Sequence, residues 1–498
     1  MGFCGGDFFA APRDAPVKIL RCMITPRCFS LVALLVLVVS PALRAAHADR
    51  HVVLVSLDGF PAWLWRDETI PLPNLRRLAA EGVVAGAMTI ANPAITWPNH
   101  TTLVTGVEPR KHGVLYNGLV TRQGPGKPIK NEQWVDKARM VRVPTVYDAA
   151  FNAGLTTAEI DWVAITRPGT ITWSFAEIVD PTAVLPREMV AAGIATEREI
   201  LAVAEKKPVV GENIEPPKRL NAAERDELWT RAANFLLKAH RPNLLLFHLL
   251  NTDGQHHRFG PGSREGREAL TLADRYVGDL VKGIEAAGLR ETTTLLITTD
   301  HGFKPVDKFV YLNVALKKAG LLRPGGASVA QCDAYAGTQG GIAFIYITDP
   351  ARRAELLPKL KTLFASVEGV AEVLDAATEA HARGMPTPAE NEAMGELILY
   401  PKPGYSFYGS ATGDIVNGPA INYGGTHGYS NRDPELDGIF LAQGAGIKKG
   451  VKLDRVRNLD VAPTIARLLG IALPTADGQP LGLPLSVGLP PVSMDLMP

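Results

Sequence analysis

The stretch His51-Val52-Val53-Leu54-Val55-Ser56-Leu57-Asp58-Gly59 is an apolar, β-branched run that stops at an acidic residue and a glycine. Lacking polar alternation, it reads as a short strand buried on both faces. The same arrangement returns twice. Leu244–Leu250 runs up to Asp253, and Thr293–Thr298 runs up to Asp300. Helical patterns lie between these strands. Leu75, Leu78 and Ala79 share one face of Pro73–Ala80, which Gly82 closes. Asn221 and Glu224 have capping-box spacing ahead of a face of Leu228, Ala232, Phe235 and Leu236, and His240-Arg241-Pro242 stops that helix. From about Arg264 to Ala287, Leu272, Tyr276, Leu280 and Ile284 recur at helical spacing. Alternation of this kind predicts an α/β fold with a mainly parallel central sheet and helices on both faces. In such sheets ligands bind beyond the carboxyl ends of the strands. Asp58, Asp253 and Asp300 all fall on that edge.

The 498 residues allow either about three domains or one large α/β domain with an insertion. The second reading fits the pattern: residues 49–324 and 416–498 form one catalytic domain, and 325–415 a small α+β insertion placed to cap the site. Within the insertion Gly341–Thr348 reads as a strand, Pro350–Ser366 as a helix and Val370–Leu374 as a second strand. Polar, Pro- and Ala-rich sequence follows to about Gly413. The segment 120–220 shows little pattern. With 52 basic against 51 acidic residues, the chain lacks the basic surface of a nucleic-acid scaffold.

The polar residues at strand ends and in loops form an unusual set. They are Asp58; Thr96 within Ile95-Thr96-Trp97-Pro98-Asn99-His100; Asn117; Asp253 and His257; Asp300-His301 before Gly302; and His427 in Gly425-Thr426-His427-Gly428. Three aspartates and three histidines supply mixed oxygen and nitrogen donors for two metal sites, a set that suits zinc. Asp253 and His257 are four residues apart, so one helical turn or a tight loop aims both at one ion. Thr96 precedes Pro98, a residue suited to a first helical turn, so its hydroxyl falls at a helix end that favours anions. Alone, each piece has an ordinary reading: an aspartate after a strand is a turn former, and a loop histidine is solvated. His100, His112 and His256 keep that reading, although His256 competes with His257 as a ligand. Asp274 and Asp279 read as polar positions on a helix.

In this order the residues resemble the alkaline phosphatase superfamily, and within it the nucleotide pyrophosphatase/phosphodiesterase (type I phosphodiesterase) family. The resemblance runs from about His51 to Gly470 and takes in His112-Gly113 and Asp460-Val461-Ala462-Pro463-Thr464-Ile465. It implies one zinc held by Asp253, His257 and His427, and a second by Asp58, Asp300 and His301, with manganese or iron as substitutes. Thr96 then lies between the metals and attacks phosphorus in line, giving a phosphothreonine intermediate that water hydrolyses. Asn117 matches the position whose amide binds a non-bridging phosphate oxygen. The substrate implied is a small phosphate ester, with nucleotides among the candidates.

Departures from the family pattern bear on the substrate. Trp97 replaces the usual phenylalanine and offers a ring to stack on a base or an aromatic leaving group. The family's nucleotide-stacking tyrosine falls on His248, which argues against a nucleotide preference. Related threonine-type monoesterases carry Lys-x-Arg in the segment that is Glu159–Arg167 here; only Arg167 remains as a partial substitute. That favours hydrolysis of diesters or pyrophosphates, the alternative being a phosphomonoesterase or a phosphonoacetate-type hydrolase on the same scaffold. A non-catalytic binding protein is disfavoured by the complete donor set, and a sulfatase by the absence of Cys or Ser at position 96.

Ahead of the first strand, Arg21 and Arg27 precede the apolar run Leu31–Val39 and then Ala46-His47-Ala48. This is the layout of a secretory signal peptide over residues 1–48, and the run is too short for a membrane span of about 20 residues. Of four cysteines, Cys4, Cys22 and Cys28 leave with the leader, so Cys332 has no partner within the chain. The expectation is export across the inner membrane to the periplasm, with no membrane span in the mature chain. N-terminal sequencing of the exported protein then begins at Asp49; a retained leader would exclude cleavage.

Overall fold

The computed structural model describes residues 49–177, 179–204, 218–325 and 328–483. The leader reading at 1–48 lies outside the described residues. Eight strands form the central sheet: β1 (His51–Leu57), β2 (Val83–Thr89), β3 (Thr157–Ile160), β4 (Trp173–Phe175), β5 (Leu244–Leu249), β6 (Thr293–Thr298), β7 (Phe440–Gly444) and β8 (Val451–Arg457). Their order is β8-β2-β7-β6-β1-β5-β3-β4. β7 is antiparallel to both its neighbours, and the other pairings are parallel. β1 sits in the middle, with Ser56 opposite His248 of β5 and Thr298 of β6.

Six helices position the site: α1 (Pro73–Ala80), α2 (Thr96–Thr105), α3 (Ala222–Ala239), α4 (Asn251–Phe259), α5 (Arg264–Ala286) and α6 (Val461–Leu469). Both faces of β1 are buried, as its unbroken apolar run predicts. Val53, Val55 and Leu57 pack with Leu75 and Leu78 of α1, Leu228 and Leu236 of α3, and Leu280 of α5. Val52 and Leu54 face the opposite layer, with Leu103 of α2 and Ile465 and Leu469 of α6. Each such side chain contributes about 1.5–3 kcal/mol by leaving water. α3 begins as its spacing predicts: the Asn221 side chain accepts the Glu224 N–H at 3.0 Å, and the Glu224 carboxylate accepts the Asn221 N–H at 2.8 Å. α2 ends at Gly106, whose φ of 70° is left-handed and whose position leaves no room for a Cβ beside Ala476.

A second sheet is antiparallel throughout, in the order Ala334–Gln339, Ile342–Ile347, Leu397–Pro401, Val370–Asp375. Ala343, Ile345 and Ile347 pack against a helix, Arg353–Ala365, through Leu356, Leu360 and Phe364. Ile342, Phe344 and Tyr346 point the other way, onto Ile95, Leu115 and Tyr116 from the segment around Thr96. The strand Leu397–Pro401 lies within the stretch read as polar and Pro- and Ala-rich. Its five residues are all buried, and it is an inner strand.

The segment 120–220 also holds more order than its pattern promised. Among the described residues it supplies β3, β4 and four helices, of which Val146–Asn152 and Glu197–Val203 are each opened by a Thr capping box with Asp148 or Glu199. Asp274 is another correction. Instead of lying on a solvated helix face it is buried, and its carboxylate accepts the N–H groups of Asn74 (3.2 Å) and Leu75 (2.7 Å) and the Asn74 side chain (2.9 Å). It thereby caps α1, whose own flanking residue Leu72 offers no side-chain cap. Asp274→Ala leaves those donors unpaired and lowers stability by about 1–3 kcal/mol in a urea titration. Asp279→Ala, at an exposed position paired with Lys282, changes it by less than about 0.5 kcal/mol. Equal effects would remove the capping role.

Candidate active site

Asp58 follows β1 directly, and Asp300 and His301 follow the neighbouring β6. α4 begins just beyond β5 on the other side, and its turns place Asp253 and His257 on one face. His427 follows the short strand Gly425–Thr426, which pairs with Lys304–Pro305 just past His301. Thr96 is the first residue of α2, with Ile95 at the cap position, so its hydroxyl is not spent on capping the helix. Parallel register therefore gathers residues separated by hundreds of positions at one edge.

They converge closely. His301 Nε2 lies 3.1 Å from Asp300 Oδ2, 3.5 Å from Asp58 Oδ1 and 3.3 Å from Thr96 Oγ1. Asp253 Oδ1 lies 3.5 Å from His257 Nε2 and 3.7 Å from His427 Nε2. The His301 and His427 rings stack at 3.7 Å. Donor atoms of Asp253, His257 and His427 fall within 4.8 Å of one another, as do those of Asp58, Asp253 and His301. Asp253 thus touches both groups, and Asp300 joins the second through His301.

Apart from Asp253, each donor is held from behind by a hydrogen bond. Asp300 Oδ1 accepts the N–H groups of Gly59 (3.1 Å) and His301 (2.9 Å), and Oδ2 is buried with no hydrogen-bond partner. Asp58 Oδ2 is bonded to His248 Nε2 at 3.0 Å, and Oδ1 is buried and unpartnered, as is Asp253 Oδ1. His257, His301 and His427 donate Nδ1–H to the carbonyls of Gly425 (3.0 Å), Gly302 (3.2 Å) and Ala94 (2.8 Å). Each therefore turns a basic Nε2 inward. Burial holds His301 neutral down to about pH 3 and keeps His427 well below the usual histidine range. Burial, with Asp300 and Asp253 nearby, raises Asp58 well above the carboxylate range; burial also raises Asp253, opposed by His257. Neutral imidazoles around crowded, unpaired carboxylates are the donor set that divalent cations neutralise. The residues fit two such ions.

Asn117 accepts the Trp97 backbone N–H through its side-chain oxygen at 3.0 Å, which leaves its NH₂ as the end that can donate. Trp97 is turned inward. It is 5% exposed, packs with Val114, Met140 and Val163, and meets Trp134 edge-on. Arg167 is exposed and ion-paired with Asp136 at 2.5 Å. His248 is buried, with its ring edge-on to that of His100. Of the background histidines, His256 Nδ1 is bonded to the Gly59 carbonyl, His100 Nδ1 to the Thr96 carbonyl, and His112 Nε2 to Thr102 Oγ1. All three are buried supports. Sequence reasoning missed Tyr423, whose ring lies 5.2 Å from that of His257 and whose hydroxyl meets Thr426 Oγ1 at 3.0 Å. It also missed Phe303, packed against His257 and His427. Tyr423 stands four residues before His427, close enough for its ring to have been noticed.

Residues 52–430 match the model of the family described as type I phosphodiesterase / nucleotide pyrophosphatase. The chain belongs to that family. It is accordingly a phosphoric ester hydrolase of the phosphodiesterase/pyrophosphatase kind. It is 27% identical over 453 residues to human ectonucleotide pyrophosphatase/phosphodiesterase family member 7, covering 88% of this chain and 83% of that one. An uncharacterized pyrophosphatase/phosphodiesterase of Schizosaccharomyces pombe is 25% identical over 451 residues, with 87% and 80% covered. Among solved structures, human ectonucleotide pyrophosphatase/phosphodiesterase 5 has a TM-score of 0.63 at 19% identity, covering 86% of this chain and 97% of that one. An inactive threonine-to-alanine form of the murine protein, in complex with AMP, has a TM-score of 0.63 at 17% identity. These neighbours share the family's α/β fold.

The crowded carboxylates predict a pH signature for metal-free protein. A carboxylate with a raised folded pKa binds its proton more tightly folded than unfolded, so its contribution to stability falls as pH rises above the ordinary value of about 3.9. Asp253→Asn removes that penalty. In chelator-treated protein at pH 8 the variant melts a few degrees above the parent, and the gain vanishes below about pH 4. A lower melting point for the variant at pH 8 would contradict the repulsion described here.

Proposed function

We propose that this chain hydrolyses a small phosphodiester through a phosphothreonine intermediate on Thr96. The observation that carries the reading is the position of Thr96 Oγ1: first turn of α2, 3.3 Å from His301 Nε2, the same nitrogen that lies within 3.5 Å of the unpaired oxygens of Asp58 and Asp300. The site residues keep their proposed roles, with one cation at Asp253, His257 and His427 and another at Asp58, Asp300 and His301. Two divalent cations, zinc or alternatively manganese or iron, supply when bound the positive charge that stabilises entering and leaving oxygens. Thr96 Oγ1 bonds to phosphorus as the alcohol leaves, and the Asn117 NH₂ donates to a non-bridging oxygen. Water then attacks the phosphothreonine, releasing the monoester and restoring the hydroxyl. The inactive threonine-to-alanine form of the murine neighbour supports a threonine in this role.

Diesters are favoured because Arg167 is held by Asp136 at the surface and does not serve a second anionic oxygen. Nucleotides stay among the candidates through the relatives' names and the AMP complex of one neighbour. His248, at the position of the family's nucleotide-stacking tyrosine, and Trp97, which offered a ring for stacking, are both buried here. An aromatic ring beside the proposed ligands is that of Tyr423. We also retain residues 1–48 as an export leader to the periplasm.

The purified protein is expected to carry about two transition-metal ions per chain, to turn over bis-(p-nitrophenyl) phosphate faster than p-nitrophenyl phosphate, and to lose activity on metal removal. Thr96→Ala lowers kcat at least 10³-fold with metal content unchanged, on the scale of losing a catalytic nucleophile. Clear preference for the monoester would overturn the diester assignment in favour of the monoesterase reading. Retained turnover in the variant would exclude Thr96 as the nucleophile.

A further inference from the structure

Asp58, His248 and Asp161 stand side by side across three adjacent strands at the carboxyl edge of the sheet. Ser56 pairs with His248, so Asp58, two residues on, is the diagonal neighbour of His248 on the same face. On the other side Ile160 pairs with Phe247, which sets Asp161 beside His248. The ring of His248 bridges the gap. Its Nε2 lies 3.0 Å from Asp58 Oδ2, and its Nδ1 lies 3.0 Å from the Asp161 carbonyl and 3.1 Å from Asp161 Oδ2. All three residues are at most 1% exposed. The His100 ring packs edge-on against His248 at 4.4 Å and against Trp162 at 4.8 Å, closing off the ring's remaining freedom.

Two further observations give this chain a direction. Asp161 has a left-handed φ of 58°, a conformation with local cost for a non-glycine residue, and its N–H is tied to the Phe175 carbonyl at 2.9 Å. The bracing end is thus fixed by backbone. At the working end, only one oxygen of Asp58 is engaged, and the other is buried, unpartnered and 3.5 Å from His301 Nε2. His257, His301 and His427 present Nε2 to the site, whereas His248 spends Nε2 on a carboxylate. A histidine at this place therefore serves a different purpose from the three ligand candidates.

Building on the proposed two-cation site, we infer that His248, braced by Asp161, is a positioning residue: it locks Asp58 so that a single oxygen, Oδ1, is offered to the cation shared with Asp300 and His301. Removing the clamp frees Asp58 to rotate and weakens that one ion, leaving the ion at Asp253, His257 and His427 unaffected. Outer partners of this kind change metal affinity by about 10–100-fold.

The test is titration of stripped, purified protein with zinc alone against a competing chromophoric chelator, with folding followed by near-ultraviolet circular dichroism. The parent binds two zinc ions. His248→Leu weakens one of them about 10–100-fold and leaves the other unchanged, and His248→Gln, which restores an N–H toward Asp58, recovers part of the loss. Unchanged affinities in His248→Leu, or equal loss at both ions, would overturn the role. Should His248→Leu not fold, His248→Phe carries the test, because it keeps an aromatic ring against His100 and offers no N–H to Asp58. It weakens the same ion several-fold, and unchanged affinity would overturn the role there too. A parent that binds fewer than two ions would instead defeat the two-cation reading, and the positioning role with it.

Discussion

Mutual repulsion among Asp58, Asp253 and Asp300 is the constraint that the rest of this architecture serves. The parallel register of β1 between β5 and β6 forces the three carboxylates onto one edge. Burial of Asp58 and Asp300, and of the Oδ1 atom of Asp253, then denies these charges the water that would separate them. Left to themselves they would rotate apart, and Asp58 and Asp253 would hold their protons to higher pH. The surrounding backbone and histidine contacts prevent the rotation: two N–H groups hold Asp300, and the His248 ring holds Asp58. The layers of helices above and below β1 keep the strands from sliding and relieving the strain. Stability is surrendered at this edge and recovered in the core, the arrangement expected of a binding site that is organised before its ligand arrives.

The same tension explains the division of labour among the histidines. Seven of them lie in or around the site, and a sequence cannot sort them by type. The group that faces Nε2 does. His257, His301 and His427 turn Nε2 toward the carboxylates of Asp253, Asp58 and Asp300. Those whose ring nitrogens meet Gly59, Thr96 or Thr102 hold up the floor. His248 belongs to neither group, since its two nitrogens are divided between Asp58 and Asp161.

Legibility in the sequence followed burial and chain locality. β1 and β6 could be read to the residue, and β5 to within one, because strands buried on both faces are written as unbroken apolar runs. The capping box of α3 was legible because it is closed within four residues. β7 and β8 went unread: β8 alternates polar and apolar residues along the sheet edge, and β7 is short and antiparallel. The donor residues were visible as an ordered set, and the resemblance assigned them. Nothing local showed that Trp97 packs inward, because its burial depends on Val114, Met140 and Val163 arriving from elsewhere. Nor could spacing reveal that Asp274 caps a helix some 200 residues upstream.

The strand Ile342–Ile347 has two working faces, and the loop leading into it touches the catalytic layer. Gly341 donates its N–H to the His427 carbonyl at 2.7 Å, while Phe344 and Tyr346 lie on Ile95 and Tyr116. The second sheet is therefore a buttress rather than an ornament. A minimal version of this protein made by excising the second sheet would strip support from the histidine at one end of the cleft and from the threonine-bearing segment at the other. Anyone wishing to graft new specificity here should redesign its outer, helix-bearing side and leave the inner face alone.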